Sequence, residues 1–250
     1  MINNLKVLIV IPSRLGGFRF PDKALKKING KEMLLWVWES AIKSKYADKV
    51  VVATPDQKIK HFCLQNKMSV ILTRKNHIRG TLRVHEAFLK SMPEADIIIN
   101  LQGDEPCVRS TSIDLAIRKL SKNKKIAAVN LFNEISYQEA DKDKNEVKVV
   151  TNKKNEALYF SRNALPAIWL GDKRFLCKKE ICVMPMWKWS LNKYAKLKQT
   201  PYEIIESVDM MRFIENDYKI LMVKCKENIK SVDCKKDLII AEKILKNRNS

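Results

Sequence analysis

Pro12-Ser13-Arg14-Leu15-Gly16-Gly17-Phe18-Arg19-Phe20-Pro21-Asp22-Lys23 follows directly on an apolar run, Leu5 to Ile11, and gathers a Gly pair, two Arg and a Lys in one loop. Gly16 and Gly17 let backbone N–H groups turn toward an anion without a Cβ in the way. Arg14 and Arg19 can fork onto phosphate oxygens, and the Lys23 ammonium adds a compact point charge. That chemistry suits a polyphosphate. A Lys-rich chain also produces exposed basic loops, and this one is neither a P-loop nor a dinucleotide fingerprint. A second stretch narrows the choice. Asp96 to Leu101 reads as another buried strand and ends in Gln102-Gly103-Asp104-Glu105-Pro106. Asp104 alone would pass for a turn residue. At the carboxyl end of a strand, where open α/β sheets bind ligands, its carboxylate is well placed to hold Mg²⁺ against a nucleotide.

Two such strand ends need a sheet to carry them. Strand patterns at Leu5–Ile11, Val50–Ala53, Val70–Leu72, Ile97–Leu101 and Ile126–Leu131 alternate with helical patterns. The helices fall near Met33–Lys45, Gln57–Asn66, Leu82–Ser91 and Ser112–Lys122. The alternation predicts an α/β fold with a mostly parallel, doubly wound sheet. From Glu146 onward the texture shifts to shorter strands, Val147–Thr151, Ala157–Ser161 and Ile181–Trp187. Thr200-Pro201-Tyr202-Glu203 opens a helix, with Thr at the N-cap, Pro in the first turn and Glu three residues on. A last helix is expected over Lys235–Lys246, after Val232-Asp233.

The chain has 250 residues, 46% of them hydrophobic, which suits a single domain with a sizeable core. Three segments are expected within it: a nucleotide-binding core over 1–135, a smaller unit over 136–215, and a return to the core over 216–250. No apolar run approaches the roughly 20 residues that span a bilayer, and Met1-Ile2-Asn3-Asn4 leaves no room for a secretion signal. Six Cys without a C-x-x-C pair and three His argue for reduced thiols in a cytoplasmic protein, not for zinc or disulfides. The net charge of +20 comes mostly from dispersed Lys. Without an aromatic-interleaved basic platform it predicts no dedicated nucleic-acid partner.

The motifs resemble the CMP-Kdo synthetases (3-deoxy-manno-octulosonate cytidylyltransferases). Pro12-Ser13-Arg14, Arg19-Phe20-Pro21-Asp22-Lys23 and Leu25 answer the family's opening pattern, and Ile28-Asn29-Gly30-Lys31-Glu32-Met33 its I-N-G-K-P-M. Val51-Val52-Ala53-Thr54, Thr73-Arg74 to His77, Gly80-Thr81 and Asn100-Leu101-Gln102-Gly103-Asp104-Glu105-Pro106 follow in order. Val147 to Val150, Ala157 to Arg162, Pro166, Pro201, Glu203, Glu206, Arg212 and Val232-Asp233 complete the set.

The resemblance implies a nucleotide-diphospho-sugar-transferase-like fold whose smaller mixed sheet covers the sugar and carries a homodimer contact. It implies that a sugar-acid hydroxyl attacks the α-phosphorus of CTP and releases pyrophosphate. The product would feed lipopolysaccharide, capsule or a related surface glycan. Arg14, Lys23 and Asp104 would be catalytic, with Pro12, Ser13, Arg19, Arg74, Gly80 and Thr81 also on CTP. Asp104 and Asp233 would hold Mg²⁺. Gln102, Arg162, Glu180, Glu203 and Glu206 would face the sugar; His77 matches the family too, but an isolated His is more often a satisfied loop residue. The chain departs from the family pattern at Ile78, Arg79, Leu82, Glu180, Met184, Pro185, Asp209 and Met210. Either the pocket takes a different acidic sugar, with Arg79 adding a positive charge and Glu180 pairing an amino substituent, or its sites are decaying. A catalytically weak nucleotide- or polyanion-binding protein of the same fold is the alternative.

Overall fold

Apolar alternation along the first strand divides the core. A computed structural model of the chain describes residues 2, 4–16, 20–170, 174–227 and 229–248. It opens with β1 (Val7–Pro12), a 3₁₀ turn (Lys23–Leu25) and a hairpin of β2 (Lys27–Ile28) and β3 (Lys31–Glu32). Then come α1 (Met33–Ile42), β4 (Lys49–Thr54), α2 (Gln57–Gln65), β5 (Val70–Leu72), α3 (Gly80–Ser91), β6 (Ile97–Leu101) and α4 (Ser110–Ser121). The middle contributes β7 (Ala128–Ser136), α5 (Tyr137–Lys142), β8 (Lys148–Thr151), β9 (Ala157–Ser161), β10 (Leu176–Ile181) and β11 (Val183–Trp187). The chain closes with α6 (Lys188–Lys196), α7 (Pro201–Glu206), α8 (Met211–Ile214), β12 (Ile220–Lys224) and α9 (Lys235–Lys246).

All six residues of β1 are buried. Val7, Ile9 and Ile11 pack with residues of α1, α2, α4 and α9 on one face, and Leu8 and Val10 with residues of α3, α6 and α8 on the other. That period of two, with helices on both sides, is the doubly wound arrangement expected. Strand order is β5-β4-β1-β6-β11-β7-β10-β8-β9, with β12 beside β7, in one ten-stranded sheet. The block β5-β4-β1-β6 is parallel throughout.

Two details differ from the sequence reading. The strands of the middle segment are continuous with the main sheet, because β7 is long enough to pair with β12 along its first half and β10 along its second. The only small separate sheet, among the described residues, is the β2–β3 hairpin. The strand expected over Ile181–Trp187 begins at Val183 as β11, while Ile181 ends an unexpected strand, β10, and the strand run breaks between them at Cys182. There the Cys182 N–H leaves the ladder and donates to Glu105 Oε1 at 3.2 Å. The α7 start is as expected, with Pro201 in the first turn and the Thr200 N–H donating to Glu203 Oε2 at 3.3 Å. Among the described residues no helix is long and apolar enough to cross a membrane.

Candidate active site

The chain leaves β1 for β4 and β5 on one side and returns at β6 on the other, so strand order reverses between β1 and β6. Their carboxyl ends open onto a cleft of about 480 Å³. This is the switch point at which α/β sheets bind ligands. Gly103 lets the strand ends approach, since a Cβ there would lie 3.1 Å from the Pro12 carbonyl oxygen. Gly16 has open space around it, so nothing described there requires a glycine. Gly17 and Arg19 lie outside the described residues.

One end of the cleft is built for charge. Lys23 Nζ donates to Asp104 Oδ2 at 2.7 Å, Asp233 Oδ1 at 3.1 Å and the Val232 carbonyl at 3.2 Å. Burial alone would lower the Lys23 pKa, but the Asp104 and Asp233 carboxylates outweigh it and hold it above the usual lysine value. The two aspartates arrive from distant parts of the chain. Asp104 sits in the turn after β6, and its carbonyl accepts the Val232 N–H at 2.9 Å. The Asp233 and Cys234 N–H groups donate to Asp237 Oδ2 at 3.0 and 2.9 Å, fixing the approach to α9. Lys230 braces that segment against Glu146 at 2.6 Å, Asp237 at 3.1 Å and Asp143 at 3.2 Å.

The oxygens that grip the Lys23 ammonium are hard donors of the kind Mg²⁺ takes, and Mg²⁺ needs only one or two carboxylates beside phosphate and water. Among the described residues no group of three or more His, Cys, Asp or Glu forms a self-sufficient metal cage. The fit is to a metal that arrives with phosphates.

Ser13 and Arg14 continue the same wall. The Ser13 N–H donates to the Ala53 carbonyl at 2.9 Å, while its buried hydroxyl finds no partner among the described residues. Arg14 is exposed at the mouth. Arg83 is buried beside it. It donates to Thr73 Oγ1 and to the Arg74 carbonyl, and burial first, then Arg14, lowers its pKa. His77 also lines the cleft and pairs with Glu86. Burial alone would raise the Glu86 pKa, but bonds from Lys90, His77 and the Arg74 N–H bring it down to about 2.

The opposite wall comes from the second half of the chain, with Arg162, Glu180, Met184 and Asp209 among its lining. Gln102 Nε2 donates to Asn100 Oδ1 at 3.2 Å and Asn100 Nδ2 to Thr81 Oγ1 at 3.1 Å. The Thr81 hydroxyl and N–H then donate to Asp209 Oδ2 at 2.7 and 2.9 Å. A Cβ on Gly80 would meet Gln102 Nε2 at 3.2 Å, so glycine keeps this chain compact. Asp209 and Arg83 were not among the expected site residues. A carboxylate placed to satisfy the start of a helix 128 residues away has no local signature.

Several residues expected to contact substrate have partners within the protein. Thr81 is spent on Asp209. Arg74 is exposed and off the cleft lining, tied to Glu86 by its N–H at 3.0 Å. Glu203 is fully buried in an ionic knot with Arg212, at 2.6 and 2.7 Å, and Arg79 Nε, at 3.0 Å. Glu206 is spent on Ser161 Oγ and the Arg162 N–H, each at 2.9 Å, and on the Tyr159 hydroxyl at 3.3 Å. Neither glutamate lines the cleft. Arg79 is not a free charge, since it also donates to the Ser207 hydroxyl at 2.9 Å and the Glu203 carbonyl at 2.8 Å. Arg162 lines the cleft, but its guanidinium donates to the carbonyls of Lys144, Asn145, Glu206 and Ser207.

Similarity to other proteins points the same way. A family model described as cytidylyltransferase matches residues 8–223. The chain is 35% identical over 246 residues to a 3-deoxy-manno-octulosonate cytidylyltransferase of Fusobacterium nucleatum, covering 98% of this chain and 99% of the relative. It is 34% identical to one from Geobacter metallireducens, covering 94% and 95%. A solved CMP:2-keto-3-deoxy-manno-octonic acid synthetase complexed with CTP superposes with a TM-score of 0.88 at 30% identity, over 97% of this chain and 99% of that one.

Proposed function

The chain belongs to the CMP-Kdo synthetase family of cytidylyltransferases, and on that premise we propose that it transfers CMP from CTP to a 2-keto-3-deoxy sugar acid, Kdo or a close analogue. It is a nucleotidyltransferase that uses CTP. The acceptor hydroxyl oxygen forms a bond to the α-phosphorus, the bond from that phosphorus to the β-phosphate oxygen breaks, and pyrophosphate and one proton leave. The observation that carries the reading is one ammonium, Lys23, held between Asp104 and Asp233 at the mouth of β1 and β6. Such a reaction depends on positioning and charge neutralisation more than on covalent participation.

Arg14 and Lys23 take up the triphosphate charge, and Lys23 is the group nearest the charge that builds as pyrophosphate departs. Pro12, Ser13 and Gly80 bound the nucleotide, with Arg83 fixing the wall behind Arg14. Mg²⁺ would be held by Asp104 and Asp233, where it would neutralise phosphate oxygens and orient them. Gln102, Arg162 and Glu180 border the acceptor. Six unpaired cysteines and the use of CTP suit the cytoplasm, and the product suits a surface glycan. A second copy of the chain suits the apolar patch around Trp169 and Leu170, which are 90% and 88% exposed. Pyrophosphate release from CTP with a panel of keto-sugar acids, with Mg²⁺ and with chelator, tests the reading. Turnover that needs both Mg²⁺ and an acidic acceptor is expected, and hydrolysis of CTP without transfer would refute it.

A further inference from the structure

Glu180 stands apart from every other carboxylate of the acceptor wall. Glu203 serves Arg212 and Arg79, and Glu206 receives three hydrogen bonds. Asp209 takes two bonds from Thr81 and has Arg79 Nε at 3.9 Å. The lysines behind the wall are matched as well, Lys179 and Lys230 by Glu146, and Lys148 by the carbonyls of Asp143, Glu146 and Arg162. Glu180 is 7% exposed, lines the cleft, and has one bond, from Asn130 Nδ2 to its Oε1 at 2.5 Å. Among the described residues no cation pairs with it and no donor reaches Oε2. Asn130 thereby fixes one oxygen and leaves the other for an occupant of the cleft.

The groups facing Glu180 explain why it lacks a partner. Burial pushes its pKa up to about 7, Asn130 opposes that, Asp209 adds to it and Arg162 opposes it, while the Arg162 N–H groups themselves donate to carbonyls. Elsewhere in the cleft lining, Met184, Val147 and Met210 offer no hydrogen-bonding side chain. A buried carboxylate with an unused oxygen costs free energy until a cation or strong donor satisfies it. Resting on cytidylyl transfer to a sugar acid, we propose that Glu180 selects the acceptor by receiving a protonated amino group, so the preferred acceptor is an amino-bearing 2-keto-3-deoxy sugar acid. An ammonium brings a full positive charge to the buried carboxylate, which a hydroxyl does not, so the two acceptors differ by an ion pair and not by hydrogen bonding alone. Loss of such a bond would leave the pocket's carboxylate buried and unpaired.

The test compares two acceptors that differ only in an exocyclic hydroxyl or amine. Pyrophosphate release gives kcat/KM, and calorimetry gives the affinity of each acceptor, for the wild type and for Glu180→Gln. The wild type should prefer the amine by about ten- to a hundredfold, the range of a hydrogen bond to a charged group. Glu180→Gln keeps the size and the oxygen that Asn130 holds, and it should bring the ratio close to one. Equal or better use of the hydroxyl acceptor by the wild type, or an unchanged ratio in the variant, would overturn the assignment while leaving cytidylyl transfer intact. No turnover with either acceptor would instead sink the transfer reading, and the two affinities would still decide the role of Glu180.

Discussion

Replacing Lys23 with Met keeps the length of the side chain and removes an ammonium that bridges two carboxylates. Asp104 Oδ2 and Asp233 Oδ1 lie 2.7 and 3.1 Å from the same nitrogen, so the variant removes a charge that both carboxylates share. The Lys23, Asp104 and Asp233 side chains are 22%, 27% and 15% exposed, mostly buried but open to cleft water. Breaking a fully buried pair costs about 3–5 kcal/mol, whereas an exposed pair is worth about 0–1 kcal/mol. A value of about 2 kcal/mol fits this exposure, or a fall in Tm of roughly 4–8 °C at this chain length. In chelator, scanning fluorimetry should show that fall. Mg²⁺ alone should then raise the Tm of Lys23→Met more than that of the wild type, because it no longer competes with an internal ammonium. Turnover should fall about 10²–10³-fold, mainly in kcat, as for other groups that stabilise developing charge. An unchanged Tm in chelator would show that the ion pair contributes nothing. A rise in KM for CTP with kcat intact would make Lys23 a uniform binding contact and refute its proposed part in the chemistry.

Asp104→Asn keeps the shape but removes a charge that a hard cation needs, so Mg²⁺-dependent turnover should drop by orders of magnitude. CTP affinity measured in chelator should change little, and near-normal turnover would exclude Asp104 as a ligand. Glu203→Gln strands Arg212, 2% exposed, and Arg79, 12% exposed, without their shared carboxylate. Urea denaturation should show a loss of about 3–5 kcal/mol, and a loss below about 1 kcal/mol would mean that the knot is not cooperative. For Glu180, a folded-state pKa raised from 4.5 to about 7 means the folded chain binds more protons than the unfolded one in that window. Stability from this group is therefore lost as pH rises from about 4.5 to about 7. Glu180→Gln should gain on the wild type between about pH 5 and about pH 7.5, and an equal difference in urea melts at both would disprove the shift.

The fold was readable because it rests on local patterns. Five consecutive buried residues can only be a strand covered on both faces at β6, and strand-helix alternation leaves few ways to connect such strands. The ends of α9 came out as expected at Lys235 and Lys246 because the helix follows directly on Val232-Asp233. The break at Cys182 was not readable. Ile181 to Trp187 is apolar throughout apart from Cys182 and Pro185, and its interruption depends on Glu105 taking the Cys182 N–H from another part of the chain. The continuity of β8 to β10 with the main sheet likewise depends on how far β7 extends, to Ser136, beyond the apolar run that revealed it.

The two walls of the cleft differ for a related reason. On the nucleotide side Ser13, Arg14 and Asp104 stand just past the carboxyl ends of two adjacent parallel strands, where position alone marks them as candidates. On the acceptor side, the meaning of a charge depends on partners far away in sequence. Arg79 reads as a substrate-facing cation until Glu203, 124 residues on, is seen to receive it. Glu203 and Glu206 read as sugar contacts until Arg212 and the Arg162 N–H claim them. Glu206 acts on the site indirectly, because the turn it holds is the one whose carbonyls grip Arg162. Once those pairings are subtracted, the polarity of the wall is reversed from what the residue types suggest. The arginines are already occupied, and the open group is an acid, Glu180. Under the proposed transfer to an acidic sugar, recognition of the acid would fall to the basic nucleotide end of the cleft and the field of Arg162. Glu180 is left to read a different part of the same molecule.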